Sequence, residues 1–360
     1  MTRKGGMASL FVLLAAMLLN GCASFDYYSQ AVSGQIGLDY RARPVIDVLS
    51  APDTPGSIAE RLRWAMQIRD FASHTLQLPD NASYRNYVDL QRPYVLWNVV
   101  AAPEFSLTAR SECFPFAGCV AYRGFFSRQQ AGQYADTLRH QGHDVWLYGI
   151  SAYSTLGWLD DPLLNTFIHH GNVAMARLMF HELAHQQVYV KDDSGFNEAF
   201  ATAVELEGTR QWLAQFGTQA QQQQMQQTQQ RQKHFQQWLL GYRQQLQQLY
   251  ASSITDIEKR AAKARLMQAL AADYRKMQQQ WQGYAGYEHW FQPLPNNAHF
   301  ASLATYHQWV PAFHHLFEEH AGDWAGFYQS VRKLAKMPRE QRQQRLMQLQ
   351  QRGKSDNGGI

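Results

Sequence analysis

The pattern that most restricts how this chain can fold is Phe180-His181-Glu182-Leu183-Ala184-His185-Gln186, which contains His-Glu-x-x-His. Apolar and small residues surround it, so residues 172–190 are predicted to form a buried helix. Residues four apart lie about 40° apart around a helix axis, and both imidazoles can therefore reach one ion. Glu182 lies about 100° from His181, where its carboxylate can hold a water molecule beside the ion.

A third ligand decides whether this pattern is a metal site. The pattern arises by chance in roughly 1% of chains this long, and two hydrogen-bonded histidines with a salt-bridged glutamate would look the same. A second helix is predicted over 196–216, with Asp193 or Ser194 as its N-cap. Glu198 lies in its first turn, 13 positions after His185, and a short return loop would bring it back to the first helix. Two histidines, one carboxylate and water are the catalytic arrangement of zinc.

Two alternatives to this ligand set remain open. Glu205 lies seven positions beyond Glu198 on the same helix face, and we expect it to support the ligands rather than to bind the metal. A closed, structural zinc site would need a fourth protein ligand. His169 and His170 could supply one, although no cysteine and no third histidine lie closer to the pattern.

The N-terminal segment, residues 1–21, has the features of a signal peptide. A basic pair at 3–4 precedes an apolar stretch over 7–19 that is too short to span a bilayer comfortably. Leu19-Asn20-Gly21-Cys22 resembles a bacterial lipobox, in which the cysteine is lipidated and becomes the mature N-terminus; the alternative is an ordinary secretory signal. Ala23 follows, which by enterobacterial sorting rules favours the outer membrane. We therefore expect a periplasmic body on a lipid anchor.

The remaining two cysteines, Cys113 and Cys119, close a short loop. In an oxidising compartment this pair is predicted to form a disulfide, which would stabilise the fold by about 2 kcal/mol or less because the loop is short. As metal ligands the pair would need two further ligands, and none stand nearby in the sequence.

Composition narrows the class of protein. Of the 360 residues 45% are hydrophobic and 17% charged, which predicts a folded globular body rather than a disordered chain. The net charge of +4 is spread along the chain without a basic stripe, so no nucleic acid partner is expected.

Periodicity predicts an α+β fold that is mainly α. β-Forming residues suggest three strands of a small antiparallel sheet, and the helix that carries His181 is expected to pack on it. Helical patterns cover most of the remaining chain. The predicted strands are 94–100, 119–126 and 145–151, and the predicted helical segments outside the two described above are 23–90 (with a helix over 58–76), 127–141 and 298–334.

A glutamine-rich segment interrupts this core. Its apolar residues recur at three- and four-residue spacing, and Ser252-Ser253 breaks the pattern, so the segment is predicted to be a helical hairpin. The polar tail is predicted to be frayed. The predicted division of the chain is 1–21 signal peptide, 22–217 metallopeptidase core, 218–290 hairpin, 291–337 C-terminal part of the core and 338–360 tail.

The motif residues resemble the gluzincin metallopeptidases, and 197–205 is similar to the corresponding stretch of the zinc aminopeptidases. The whole mature chain resembles a family of bacterial lipoproteins called putative aminopeptidases. The shared features are the lipobox, the two-cysteine segment, 153–162, 181–186 and 196–201. This resemblance implies Zn²⁺ as cofactor and peptides or proteins as substrates.

Two departures from the gluzincin pattern affect the site. The gap between His185 and Glu198 is shorter than in the well-known gluzincins, and Glu205 would match the longer gap. The Gly-x-Met-Glu-Asn segment that binds the free amine in the large aminopeptidase family is missing. The second departure weakens the expectation of amino-terminal specificity and leaves peptide hydrolysis unaffected.

These residues predict a mechanism. Zinc would polarise the scissile carbonyl and acidify water, and Glu182 would accept the water proton and return it to the leaving amine. A tyrosine is the usual donor to the oxyanion in gluzincins, and Tyr153, Tyr189 and Tyr306 are candidates. The strand that ends at 151–153 could be the sheet edge along which a peptide binds.

A non-enzymatic function is the competing hypothesis. In it, the chain is an outer-membrane lipoprotein that binds a partner through its glutamine-rich hairpin, and the zinc is structural. Glu182 argues against this hypothesis, because a structural site has no use for a general base beside its ligands.

Overall fold

The computed structural model describes residues 27, 29–114, 118–303 and 308–357. Thirteen α-helices and one 3₁₀ helix (Glu288–Phe291) occur in these ranges. The α-helices are α1 (29–41), α2 (Val45–Ser50), α3 (Gly56–His74), α4 (Arg128–His140), α5 (Asn165–Ile168), α6 (Asn172–Gln187), α7 (Ser194–Phe216), α8 (Gln219–Ala251), α9 (Asp256–Gln280), α10 (Asn297–Leu303), α11 (Val310–Glu319), α12 (Trp324–Ala335) and α13 (Arg339–Asn357). The strands are β1 (Arg43–Pro44), β2 (Asn86–Val88), β3 (Leu96–Pro103), β4 (Glu112–Phe114), β5 (Gly118–Val120), β6 (Arg123–Phe125), β7 (His143–Ile150) and β8 (Leu163–Leu164).

An antiparallel sheet of order β6-β3-β7 lies at the centre of one half of the fold. Side chains alternate between its two faces, as the period of a strand requires. Val99 and Ala101 face α4 and pack with its buried residues, whereas Val100 faces the opposite side. The expectation of a mainly helical α+β fold with a small antiparallel sheet is therefore confirmed. The helix that carries His181, α6, was expected to pack on this sheet, but it packs chiefly against α7, and the helices that contact β3 and β7 most are α4 and α10.

The glutamine-rich segment forms the expected hairpin, α8 and α9, and it packs against the sheet. Thr218 and Thr255 each begin a helix with a capping box, which satisfies the first free backbone amides. The apolar stripe of the hairpin is buried together with Val100 and Trp146 on the face opposite α4. The buried stripe consists of Phe235, Leu239, Tyr242, Leu246, Met267, Leu270, Tyr274 and Met277.

The helices α6 and α7 pack against each other and form the core of the second half with α3, α11 and α12. Small residues on α7 permit this close approach; at Gly208, an added Cβ would lie 2.6 Å from the Leu76 side chain and 3.1 Å from Phe180. Phe200 of α7 lies against the rings of Phe313 and Tyr328, at centroid distances of 5.8 and 6.2 Å. The helix that carries the two histidines (α6) and the helix that carries Glu198 (α7) are thus fixed by packing along their length.

Two regions differ from the expectation. Within the segment predicted to be mostly helical, β2 pairs with β1 and β8 in a second small sheet. The prediction that the tail is frayed is wrong, because α13 packs on α11 and buries Leu346 and Leu349. Leu346 and Leu349 lie three positions apart on one side of the helix, and the polar composition of the segment conceals this short buried face.

The disulfide predicted between Cys113 and Cys119 is present and links β4 to β5. The predicted strand 119–126 is divided into β5 and β6, which pair with different strands. Along the described part of the chain, no helix combines the length and hydropathy needed to cross a bilayer. Cys22 and Tyr306 lie outside the described residues.

Candidate metal centre

The return loop between α6 and α7 is held by side chains of α7 itself. Asn197 accepts the backbone N–H of Val190 and donates to the carbonyl of the same residue, both at 2.8 Å. Asp193 caps α7 by accepting the N–H of Phe196 at 3.2 Å. Because these bonds fix the loop, the first turn of α7 lies opposite the last two turns of α6.

The loop brings His181, His185 and Glu198 together. The two imidazole centroids are 4.9 Å apart. Glu198 places one carboxylate oxygen 3.3 Å from His181 Nε2 and the other 3.8 Å from His185 Nε2. One ligand atom from each residue lies within 4.8 Å of the others, and no other such group occurs among the described residues. Three ligands at about 2.1 Å from a tetrahedral ion lie about 3.4 Å apart, so this donor set fits zinc.

Glu205 contacts one of these histidines from the other side. Its Oε2 lies 3.1 Å from His181 Nδ1, and its Oε1 accepts from Arg177 Nε at 2.7 Å. A carboxylate can only accept, so Nδ1 donates to Glu205, and Nε2 is the nitrogen that faces Glu198. Burial alone would raise the pKa of Glu205, but the hydrogen bond from His181 and the charge of Arg177 outweigh it and lower the pKa.

The two histidines differ in their protonation. Burial lowers the pKa of His185 to about 4, so this imidazole is neutral at pH 7, the form that binds a metal. Its Nδ1 is buried without a hydrogen-bond partner in the described part of the chain. Burial would also lower the pKa of His181, but its hydrogen bonds with Glu198 and Glu205 raise that pKa well above the usual value. A metal at Nε2 would take the place of one imidazole proton of His181, and the other proton stays on Nδ1 in the hydrogen bond to Glu205.

Glu182 lines a cleft beside the three residues. Burial raises the pKa of its carboxyl to about 7; nearby His181 lowers it in part and Glu198 raises it further. A group with a pKa near 7 can both accept and return a proton at neutral pH. Among the carboxylates of this region, Glu182 therefore has the properties of a general base.

The cleft has a volume of about 860 Å³ and lies between α6 and β7. Leu178 and Glu182 line it from α6, and residues 146–152 line it from the sheet. A second cavity of about 300 Å³ shares Leu178 and Glu182 and is also lined by Arg177, His181 and Glu205. Space for a ligand thus exists on both sides of Glu182.

The strand along this cleft is an edge of its sheet. β7 pairs with β3 on one side only. Near its start, the Asn296 amide donates to the carbonyl of Val145 at 3.1 Å and covers the open edge. Its end, 147–150, lines the cleft. This half of the edge can accept another extended chain by main-chain hydrogen bonding.

A loop fixed by Asp161 directly follows Ser151 and Ala152, which line the cleft. Asp161 is buried and accepts the N–H of Thr155 at 3.1 Å. Gln186, the residue after His185, donates to Asp161 at 3.5 Å and accepts from Asn81 at 2.7 Å. Burial raises the pKa of Asp161 to about 6, and the hydrogen bonds from Thr155 oppose that rise. These bonds hold the 153–162 segment against the helix that carries the motif.

The candidate tyrosines lie in different places. The hydroxyl of Tyr153 donates to Gln35 of α1, and its ring packs on Phe126, so this hydroxyl is engaged away from the three residues. The pKa of Tyr189 is raised by burial and then by the charge of Glu198, so Tyr189 lies near the centre.

Sequence reasoning missed Tyr122. Burial raises the pKa of its hydroxyl, and the charges of Glu198 and Glu182 add to the rise, so the hydroxyl lies within electrostatic range of both carboxylates. The backbone N–H of Cys119 donates to Asp192 in the α6–α7 loop at 2.7 Å, which holds the neighbouring hairpin beside the two helices. No motif identifies Tyr122, because this contact joins segments 73 positions apart.

The family model described as "Putative aminopeptidase" matches residues 26–346. Neither a curated protein nor a solved structure matches the chain.

Proposed function

The chain belongs to the family described as "Putative aminopeptidase", and from that premise we propose that it is a zinc-dependent peptidase. The observation that carries the proposal is the convergence of His181, His185 and Glu198, with one donor atom of each within 4.8 Å of the others. A general base, Glu182, and a cleft large enough for a peptide adjoin them. Ligands, base and substrate space are the three parts that hydrolysis of an amide by a metal ion needs.

In this proposal each residue has a distinct role. When bound by His181, His185 and Glu198, zinc supplies a Lewis acid that polarises the scissile carbonyl and acidifies water. Glu182 accepts the proton of the attacking water and delivers it to the leaving amine. Glu205 orients the imidazole of His181 and, through its ion pair with Arg177, keeps its own negative charge.

We further propose that substrates bind as an added strand along the open end of β7. Main-chain hydrogen bonding to 147–150 would run a peptide past Glu182, which lies on the opposite wall. Extended peptides and unfolded segments of proteins can bind in this way. A folded protein surface offers few such segments, so we expect peptides and flexible chain termini or loops to be the substrate class.

The finer question is whether a free amino terminus is required. An aminopeptidase needs a carboxylate that is free to bind the substrate amine. Among the described residues that line the two cavities, the carboxylates are Glu182 and Glu205. The first is the proposed base and the second is bound to Arg177 and His181. We therefore propose that cleavage does not require a free amine, and we expect N-acetylated peptides to be cleaved at rates similar to their free counterparts.

The deciding experiment compares zinc-loaded protein with its Glu182→Gln variant on a peptide library. The variant should retain zinc and lose hydrolysis, because the amide cannot accept a proton. Glu60, exposed on α3, gives a matched Glu→Gln control that should remain active. Full activity of a metal-loaded Glu182→Gln protein would falsify the mechanism. If the zinc-loaded wild type cleaves no peptide, with or without chelator, the non-enzymatic lipoprotein with a structural zinc becomes the better hypothesis.

A further inference from the structure

The first helix of the described fold, α1, carries an exposed apolar stripe. Val32, Ile36 and Tyr40 are 58%, 60% and 91% exposed. Residues spaced by four lie on one side of a helix, so the three form a continuous strip. Ile46, 69% exposed, follows on α2. A run of large apolar side chains at this exposure is characteristic of an interaction surface.

The opposite side of α1 is bound to the core. Leu38 is 1% exposed. Gln30 accepts the backbone N–H of Phe126 at 3.0 Å, and the Phe126 ring packs so closely on Gly34 that an added Cβ would lie 2.3 Å from it. The helix is therefore a fixed part of the fold, and the stripe keeps a fixed orientation relative to it.

We propose that this stripe lies on the surface of the membrane to which the chain is anchored at Cys22. The anchor is itself proposed from the lipobox, and the inference rests on it and not on the peptidase activity. Val32 follows Cys22 by ten positions, so even a fully extended connection spans at most about 35 Å. The lipid therefore holds the stripe within reach of the bilayer.

The chemistry of the stripe suits a lipid interface. Two branched aliphatic side chains can insert at the boundary of the acyl chains, and a tyrosine prefers the level of the headgroups. Arg41 and Arg43 are exposed beside the stripe, but Asp39 and Asp47 are exposed there too. These charges balance, so apolar contact rather than attraction to anionic lipid drives the docking.

Docking of α1 would also orient the cleft. Gln35 of α1 accepts the hydroxyl of Tyr153, and Ser151 and Ala152, just before it, line the cleft. A helix that lies flat on the bilayer therefore holds this end of the cleft close to the membrane. Substrates would then be peptides presented near the lipid surface.

The test uses the full mature chain, lipidated at Cys22, in vesicles of phosphatidylethanolamine and phosphatidylglycerol. With Cys113 and Cys119 paired, a cysteine introduced by Ile36→Cys is the free thiol for a nitroxide label. Power saturation should give a ratio of oxygen to water-soluble nickel-chelate collisions several-fold higher than at the control position, Ile257→Cys. Ile257 is 77% exposed on the hairpin. Tyr40→Cys should give an intermediate ratio and repeats the test at a second position.

Equal ratios at positions 36 and 257 would overturn the proposal. So would spin–spin broadening at position 36, because it would mean that a second copy of the chain covers the stripe. Mass spectrometry that finds no lipid on Cys22 would overturn it at its first step. Peptide cleavage by the same preparation is measured separately, so failure of the membrane proposal and failure of the peptidase proposal are distinguishable.

Discussion

At the scale of single residues, Glu198 and Glu205 illustrate how two carboxylates on one helix acquire different roles. Glu198 approaches Nε2 of both histidines, whereas Glu205 lies at Nδ1 of His181 and is also bound by Arg177. A carboxylate that accepts two hydrogen bonds from an imidazole and a guanidinium has little capacity left for an ion. The geometry therefore favours Glu198 as the third ligand.

We predict that Glu198→Ala lowers zinc content more than Glu205→Ala. The first change removes a ligand, while the second removes only the group that orients His181, a loss that typically costs about 10- to 100-fold in affinity. Zinc bound per chain after dialysis against a graded chelator measures the order. The reverse order would make Glu205 the ligand.

Tyr122 gives a second prediction at this scale. If its hydroxyl donates to the oxyanion, Tyr122→Phe should lower kcat by about 100-fold and leave zinc content unchanged. Tyr242→Phe is the matched control, because that hydroxyl donates to Asp273 within the hairpin at 2.7 Å. Unchanged kcat in Tyr122→Phe would return the role to Tyr189 or Tyr306.

At the scale of elements, α13 supports the candidate metal centre from a distance. Arg342 of α13 donates to Asp193 at 2.6 Å, and both side chains are buried. Asp193 is also the N-cap of α7. An element that looked like a polar tail thus stabilises the start of the helix that carries Glu198.

We expect Arg342→Met to lower the free energy of unfolding by about 3–5 kcal/mol, because it leaves the buried Asp193 carboxylate without its partner. Zinc affinity should fall as well, since the first turn of α7 loses part of its support. Denaturant unfolding and zinc titration measure the two effects. Arg339→Met, at the exposed start of α13, is the control. Wild-type values for Arg342→Met would contradict this account of α13.

At the scale of the whole molecule, the sheet, the hairpin and α10 meet in one buried cluster. Trp146 of β7 stacks on His299 of α10 with ring centroids 4.4 Å apart. Asn296 donates its N–H to His299 Nδ1 at 3.1 Å. Burial lowers the pKa of His299 to about 3. The folded protein therefore keeps this imidazole neutral where the unfolded chain would protonate it.

The direction in which stability changes with pH follows from the lowered pKa of His299. Below the unfolded pKa of about 6.5 the unfolded chain binds the extra proton, so stability is present above that pH and is lost as pH falls toward 3. His299 lowers the free energy of unfolding by at most about 1.4 kcal/mol for each pH unit of this fall. With chelator present, His299→Phe should show a shallower fall of unfolding free energy between pH 6.5 and 4 than the wild type. Parallel curves would exclude His299 as a source of acid sensitivity.

Local patterns in the sequence determined much of this protein's secondary structure and part of its candidate site. The spacing of His181 and His185 fixes their common face because helix geometry is local, and the cysteine pair and the hairpin periodicity are local as well. The mainly helical α+β fold followed from such patterns.

Contacts between distant segments decided the rest. The return loop closed by Asn197 places Glu198, and not Glu205, opposite Nε2 of both histidines. Packing between distant segments brings Tyr122 within electrostatic range of Glu198. It also turns the hydroxyl of Tyr153 toward α1. The order in α13 depends on Asp193, 149 positions away. The stabilisation that each of these contacts provides depends on a partner far along the chain, and no pattern within a short window of sequence contains that partner.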